Sequence, residues 1–243
     1  MRPQVIDAES FLAAFRVSRE TMARLTLYES LLLKWQKSIN LVSAATLPDL
    51  WRRHMADSAQ LARLAPATAC IWVDLGSGAG FPGLVVAIIW ADRAGPSAAA
   101  DFMVHLIESD QRKGAFLREV IRQTGAPAMV HTARIESFAR SGLPGPADLA
   151  LTGGNLALAG GNLALAGADV ISARACAPLD RLLTLAAPFF GPDSLGLFLK
   201  GRDADKELTL ARKWWTFNIT QIASMSDPEG TVLEVKGLSR AAP

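Results

Sequence analysis

The stretch VDLGSGAGFPG at residues 73–83 limits what this chain can fold into more than any other part of it. It continues the apolar run IWVDL, sets glycines at 76, 78 and 80 behind the acid Asp74, and leads into Leu84, Val85, Ile88 and Ile89 at helical spacing. A strand ending in an acid, a glycine-rich turn and a helix are the parts of a ligand-binding corner. Glycine lets the backbone turn sharply and approach a ligand closely. Pro82 suits the first turn of the helix, where an N–H would have no partner.

The flanking segments extend this corner into an α/β fold. Residues 1–66 read as helical: Leu25, Tyr28, Leu32, Trp35 and Ile39 make one apolar stripe, with Lys34 and Lys37 off it. Leu50, His54, Asp57, Leu61 and Leu64 repeat that spacing in a second helix, opened at Pro48 or Asp49 and closed by Pro66. From Cys70 onward strands alternate with helices. FMVHLIE (102–108), AMVHT (128–132), ADVISAR (168–174) and LGLFLKG (195–201) read as strands. Arg112 to Gln123, closed by Gly125, and Asp203 to Trp215 read as helices, and NITQIA with TVLEVKG as a terminal strand pair. The pattern predicts a mostly parallel, seven-stranded sheet covered on both faces, residues 67–243, behind a helical extension, residues 1–66. GGNLALA occurs twice, at 153–159 and 160–166, and reads as a duplication lengthening a flexible surface loop without chemistry of its own.

Composition excludes several classes. Lys+Arg 25 against Asp+Glu 23 gives a formal charge of +2, too weak to announce a nucleic-acid binder. Cys70 and Cys176 supply neither a disulfide framework nor a metal site, and read as small buried hydrophobes. Leu149 to Ala168 carries no charge, but its glycines and asparagines argue against a membrane span. The opening MRPQVIDAES has acids and no apolar core, which predicts no secretion signal and a cytoplasmic protein.

The glycine spacing narrows the ligand. A dinucleotide loop needs G-x-G-x-x-G. From Gly76 the sixth position is Phe81; from Gly78 the glycines fit at 78, 80 and 83, but Pro82 removes an amide from the anion cradle. D-x-G-x-G-x-G instead resembles the first motif of class I methyltransferases, which implies S-adenosylmethionine at Asp74, Gly76, Gly78 and Gly80. Glu108 ends the second strand, where a carboxylate can accept from both hydroxyls of a ribose.

Further segments together resemble one family, the bacterial 16S rRNA (guanine-N7)-methyltransferases (RsmG, or GidB). They are LLKWQKSINLVS (32–43), WRRHMADS (51–58), VDLGSGAGFPG, LIESDQRKGAFLREV (106–120), ARIESF (133–138), DVISARACAPL (169–179) and LFLKGR (197–202). The resemblance implies a class I, Rossmann-like methyltransferase fold with a helical extension. It implies that Gly76 and Phe81 contact the cofactor, that Glu108 binds its ribose, and that Ile135 and Glu136 flank its adenine. Arg174 is implied where cofactor and substrate meet. The implied product is 7-methylguanosine in the decoding-centre hairpin of 16S rRNA, with the RNA free or within the 30S particle; a monomer is expected, though the sequence does not give the oligomeric state. The insert before Asp169 departs from the family pattern.

Some residues stay open. His54 and Asp57 lie on an otherwise apolar stripe, and Arg53 is placed to pair with Asp57 four residues on. Arg53, His54 and Asp57 either dock the extension or border the RNA pocket. Lys200 and Arg202 end the fifth strand as candidate RNA-backbone contacts; Trp35 and Trp51 read as core. Guanine N7 carries a lone pair that attacks a methyl group directly, so no general base is required and no catalytic residue is assigned. Cys176 keeps a pyrimidine-C5 mechanism open, since that chemistry uses a cysteine nucleophile. The same motifs also leave open a non-catalytic ribosome-assembly protein, or a methyltransferase acting on another RNA or a small molecule.

Overall fold

The computed structural model describes residues 5–93, 102–141, 149–152, 155–158 and 167–241. Short polar side chains set the helix starts, because each accepts from amides that lack a partner inside the helix. Asp7 and Ser10 form a capping box on α1 (Ala8–Phe15), and Ser18 caps α2 (Arg19–Gln36). A 3-10 turn (Ala44–Asp49) and a π-helical turn (Trp51–Ala56) lead into α3 (Asp57–Leu64). Then come β1 (Ile71–Leu75), α4 (Gly83–Arg93), β2 (Met103–Glu108) and α5 (Gln111–Thr124), capped by Asp110 and closed by Gly125 at φ 65°. β3 (Ala128–Thr132), α6 (Ile135–Ser141), β4 (Leu149–Thr152) and β5 (Asn155–Leu158) follow. The chain continues through β6 (Ala168–Arg174), α7 (Leu179–Ala186), β7 (Phe190–Lys200), α8 (Ala204–Ala211), β8 (Trp215–Ala223) and β9 (Thr231–Arg240).

The main sheet has the expected seven strands, in the order β3-β2-β1-β6-β7-β9-β8. β1 runs parallel to β2 and β6, β2 to β3, and β6 to β7; β9 runs against both β7 and β8. Alternate residues point to opposite faces and build two apolar layers. Trp72, Val104, Leu106 and Val170 pack with α4 and the helical extension, whose Phe11, Leu25 and Leu32 belong to the same core. Val73, Ile107, Ile171 and Phe198 pack with Leu183, Phe189 and Leu208 on the other face. Because β1, β2, β6 and β7 share a direction, Leu75, Glu108, Arg174 and Lys200 all end at one edge. Thr231, paired with both Lys200 and Ala223, brings the β8–β9 turn to that edge too.

Several expectations need correction. Leu50 to Leu64 is not one α-helix; the π-helical turn interrupts it. Such turns carry no side-chain signature in apolar spacing. β7 begins five residues earlier than expected, at Phe190, and α8 stops at Ala211. The duplicated segment is not simply a loop, since β4 and β5 pair as an antiparallel hairpin; its second copy, 160–166, lies outside the described residues. Cys70 is exposed ahead of β1 rather than buried. Among the described residues no helix is long and apolar enough to cross a membrane.

Candidate active site

The glycine loop is shaped as its spacing required. Gly76, Gly78 and Gly80 all adopt positive φ, at 66°, 57° and 97°. A Cβ on Gly80 would lie 2.5 Å from Leu84 Cδ1 and 2.9 Å from Tyr28 Oη, so no larger residue fits there. Tyr28 braces the loop from α2, its hydroxyl donating to the Ala79 carbonyl at 2.5 Å.

Asp74, expected to touch the cofactor, lies wholly beneath the loop at 0% exposure. Its carboxylate accepts from Ser172 Oγ at 2.7 Å and from the Gly83 amide at 3.3 Å, tying β1 to β6 and to the start of α4. Burial raises its pKa to about 6, opposed by these hydrogen bonds and by the Arg174 charge. Phe81 is also turned inward; its ring stacks on Tyr28 and lies 4.9 Å from the His54 ring.

Glu108 stands at the mouth. Oε2 accepts from the Gly78 amide at 2.8 Å and Oε1 from the Asp110 amide at 2.7 Å. A cleft beside it is lined by Gly76, Glu108, Ile135, Glu136 and Cys176, uniting four of the residues expected around a cofactor. A Cβ on Gly76 would come 2.9 Å from Cys176 Sγ, so the bare glycine keeps this passage clear. A glycine cradle, a carboxylate for ribose hydroxyls and an apolar Ile135 wall suit S-adenosylmethionine.

A second cleft of about 670 Å³ adjoins the first at Cys176 and Ala177. Arg53, His54, Asp57 and Arg174 line it together with Ser224, Ser226 and Asp227 of the β8–β9 turn. Arg174 donates to the Arg53 carbonyl at 3.0 Å and lies 2.6 Å from His54 Nδ1, with its guanidinium over the Phe81 ring. His54 Nε2 lies 2.8 Å from Thr46 Oγ1. Burial, then the Arg174 and Arg53 charges, lower the His54 pKa to about 3. The ring is therefore neutral and orients Arg174, with Nδ1 as acceptor and Nε2–H as donor to Thr46. Ala175, next to Arg174, holds a positive φ of 50°, the kind of strained backbone that persists where the surroundings over-determine it.

The expected Arg53–Asp57 pair does not form. Asp57 Oδ1 accepts from Gln60, Ser224 and Ser226 at 2.8–2.9 Å, and Arg53 reaches Asp227 at 2.7 Å. A local i,i+4 pair is worth about 0.2–0.5 kcal/mol, less than the roughly 1.5–3 kcal/mol of a part-buried hydrogen bond to a carboxylate, so Asp57 takes Gln60, Ser224 and Ser226 as its partners instead. Lys200 is likewise not a free RNA contact: its ammonium is bound to Glu207 at 2.7 Å and to the Ala177 carbonyl at 2.6 Å. Arg202 is exposed, 4.0 Å from Glu229. The residues that sequence reasoning missed are Ser224, Ser226 and Asp227, where SDPEG signals a turn but not its docking place.

A family model described as "rRNA small subunit methyltransferase G" matches residues 21–152. Proteins named ribosomal RNA small subunit methyltransferase G from Parvibaculum lavamentivorans and Rhodospirillum centenum are 56% and 48% identical, each over 97% of this chain and 92% of the relative. A crystal structure of a methyltransferase from Geobacter sulfurreducens superposes with a TM-score of 0.51 at 13% identity, over 88% of this chain and 90% of that one, a likeness of fold.

Proposed function

The chain belongs to the rRNA small subunit methyltransferase G family and is an S-adenosylmethionine-dependent methyltransferase, and from that premise we propose that it methylates N7 of a guanine in 16S rRNA. The observation that carries this reading is the pair of clefts meeting at Cys176 and Ala177, one built for the cofactor and one for a base.

In the first cleft Gly76 would let the backbone approach the cofactor, with Gly78 and Gly80 turning the loop behind it; Glu108 would accept from its ribose, and Ile135 with Glu136 would border its adenine. S-adenosylmethionine supplies an electrophilic methyl carbon on a positively charged sulfur. The guanine N7 lone pair forms the new N–C bond as the C–S bond breaks. The positive charge passes to the guanine ring and no proton is released, so the site needs alignment rather than a base. Consistently, His54 spends its ring nitrogens on Arg174 and Thr46. Arg174, held by His54 and the Arg53 carbonyl, forms part of the wall of the second cleft. A covalent pyrimidine-C5 route fares worse, because burial raises the Cys176 thiol pKa and disfavours the thiolate.

The division near residue 66 separates an extension that supplies Arg53, His54 and Asp57 from a sheet domain that supplies the cofactor loop. The target proposed from the family resemblance is the decoding-centre hairpin, reached in the cytoplasm by a monomer. Incubating the purified protein with labelled methyl donor and either 16S rRNA or 30S particles tests the reading. Label is expected in 7-methylguanosine; label only in another nucleoside or in small molecules overturns it.

A further inference from the structure

The β8–β9 turn is held against the helical extension by more contacts than a connecting turn needs. Ser224 and Ser226 donate to Asp57, the Met225 amide donates to Gln60 Oε1, and Arg52 donates to the Ser226 carbonyl. Within the turn the Asp227 amide donates to Ser224 Oγ, and the Gly230 amide to the Asp227 carbonyl. The net effect is to present the Asp227 carboxylate into the larger cleft. There Oδ2 meets Arg53 Nη1 at 2.7 Å and Oδ1 accepts from the Glu229 amide at 3.0 Å. The side chains of Arg53 and Asp227 remain 37% and 29% exposed, and both line the cleft beside Arg174. An ion pair this open adds only about 0–1 kcal/mol to stability, which leaves its precise mounting unexplained by folding alone.

We infer that Asp227 and Arg53 read the Watson–Crick edge of the target guanine, an inference that rests on the proposed guanine-N7 activity. Guanine presents there an acceptor, O6, beside two donors, N1–H and the 2-amino group. A guanidinium next to a carboxylate is the matching pair: Arg53 donates to O6 and Asp227 accepts from N1–H and the amino group. Adenine presents a 6-amino donor and an N1 acceptor, so the same pair opposes it at both positions. Engaging this edge leaves N7 unoccupied. The carboxylate also favours the positive charge that the ring gains on methylation.

Inosine lacks only the 2-amino group and separates this role from a structural one. The experiment reconstitutes 30S particles with guanosine or inosine at the target position and measures single-turnover methylation by the wild type, Asp227→Asn and Asp227→Ala. Wild type is expected to favour guanosine by roughly 10- to 100-fold, the scale of one lost hydrogen bond to a charged acceptor. Both variants should slow on guanosine and lose most of that preference, while their S-adenosylmethionine affinity stays at the wild-type value. Equal wild-type rates on guanosine and inosine overturn the inference even if the variants do not fold. So does an undiminished preference in a folded variant. A wild type that makes no 7-methylguanosine at all sinks the proposed activity first, and this inference with it.

Discussion

Glu108 binds the loop on which the cofactor reading depends, through the Gly78 and Asp110 amides. Glu108→Gln keeps the shape but loses the charge and one acceptor. Each lost charge-assisted bond costs about 1.5–3 kcal/mol, so the Kd for S-adenosylmethionine should rise roughly 10- to 100-fold, and the loop amide that loses its charged acceptor should lower the melting temperature by a few degrees as well. Calorimetry on the folded variant checks this; an unchanged Kd would mean that Glu108 does not face the ligand. Gly80→Ala should abolish binding and lower stability, because its Cβ would collide with Leu84 and Tyr28 at φ 97°. Tight cofactor binding by that variant would contradict the loop's assigned role. Glu108 and the glycines were legible because each ends a strand or follows one, and parallel pairing brings such ends together. The Arg53–Asp227 pair was not, because spacing proposes only local partners and these two are 174 residues apart.

At the scale of elements, the helical extension and the sheet meet through specific atoms as well as apolar area. Tyr28 on α2 reaches the Ala79 carbonyl, and its ring stacks on Phe81. Tyr28→Phe removes only the hydroxyl and leaves that carbonyl without its partner. A loss of about 1–3 kcal/mol follows, some 2–12 °C in melting temperature for a chain of this size, together with weaker cofactor binding. A variant that melts and binds as the wild type does would show that the extension does not brace the loop. The strand centres and α5 were readable from period and caps. The π-helical turn was not, since Leu50, His54 and Asp57 keep helical spacing through it; tertiary bonds from Asp57 and Arg174 give the segment its use.

For the whole molecule, pH provides a test of burial. The three histidines, His54, His105 and His131, have pKa values lowered to about 3, 4 and 3, chiefly by burial. The unfolded chain binds these protons near pH 6.5 and the folded chain only near 3–4, so stability falls as pH drops below 6.5. Asp74 acts the other way between its ordinary value of 3.8 and its raised value of about 6, where the folded state holds the extra proton. Burial raises the Glu29 carboxyl as well, in the same sense as Asp74. The three histidines against these two carboxyls predict a lower melting temperature at pH 5 than at pH 7; a constant or higher one would mean that the histidines are not held neutral. The central claim, one 7-methylguanosine in 16S rRNA, is tested most directly in ribosomal RNA from a strain lacking its own enzyme of this family. N7 methylation leaves a fixed positive charge that makes the strand cleavable by aniline. Expressing this chain should restore a single cleavage in the decoding-centre hairpin, and expressing the Glu108→Gln variant should restore much less. No cleavage with the wild-type chain present, or full cleavage without it, would contradict the account.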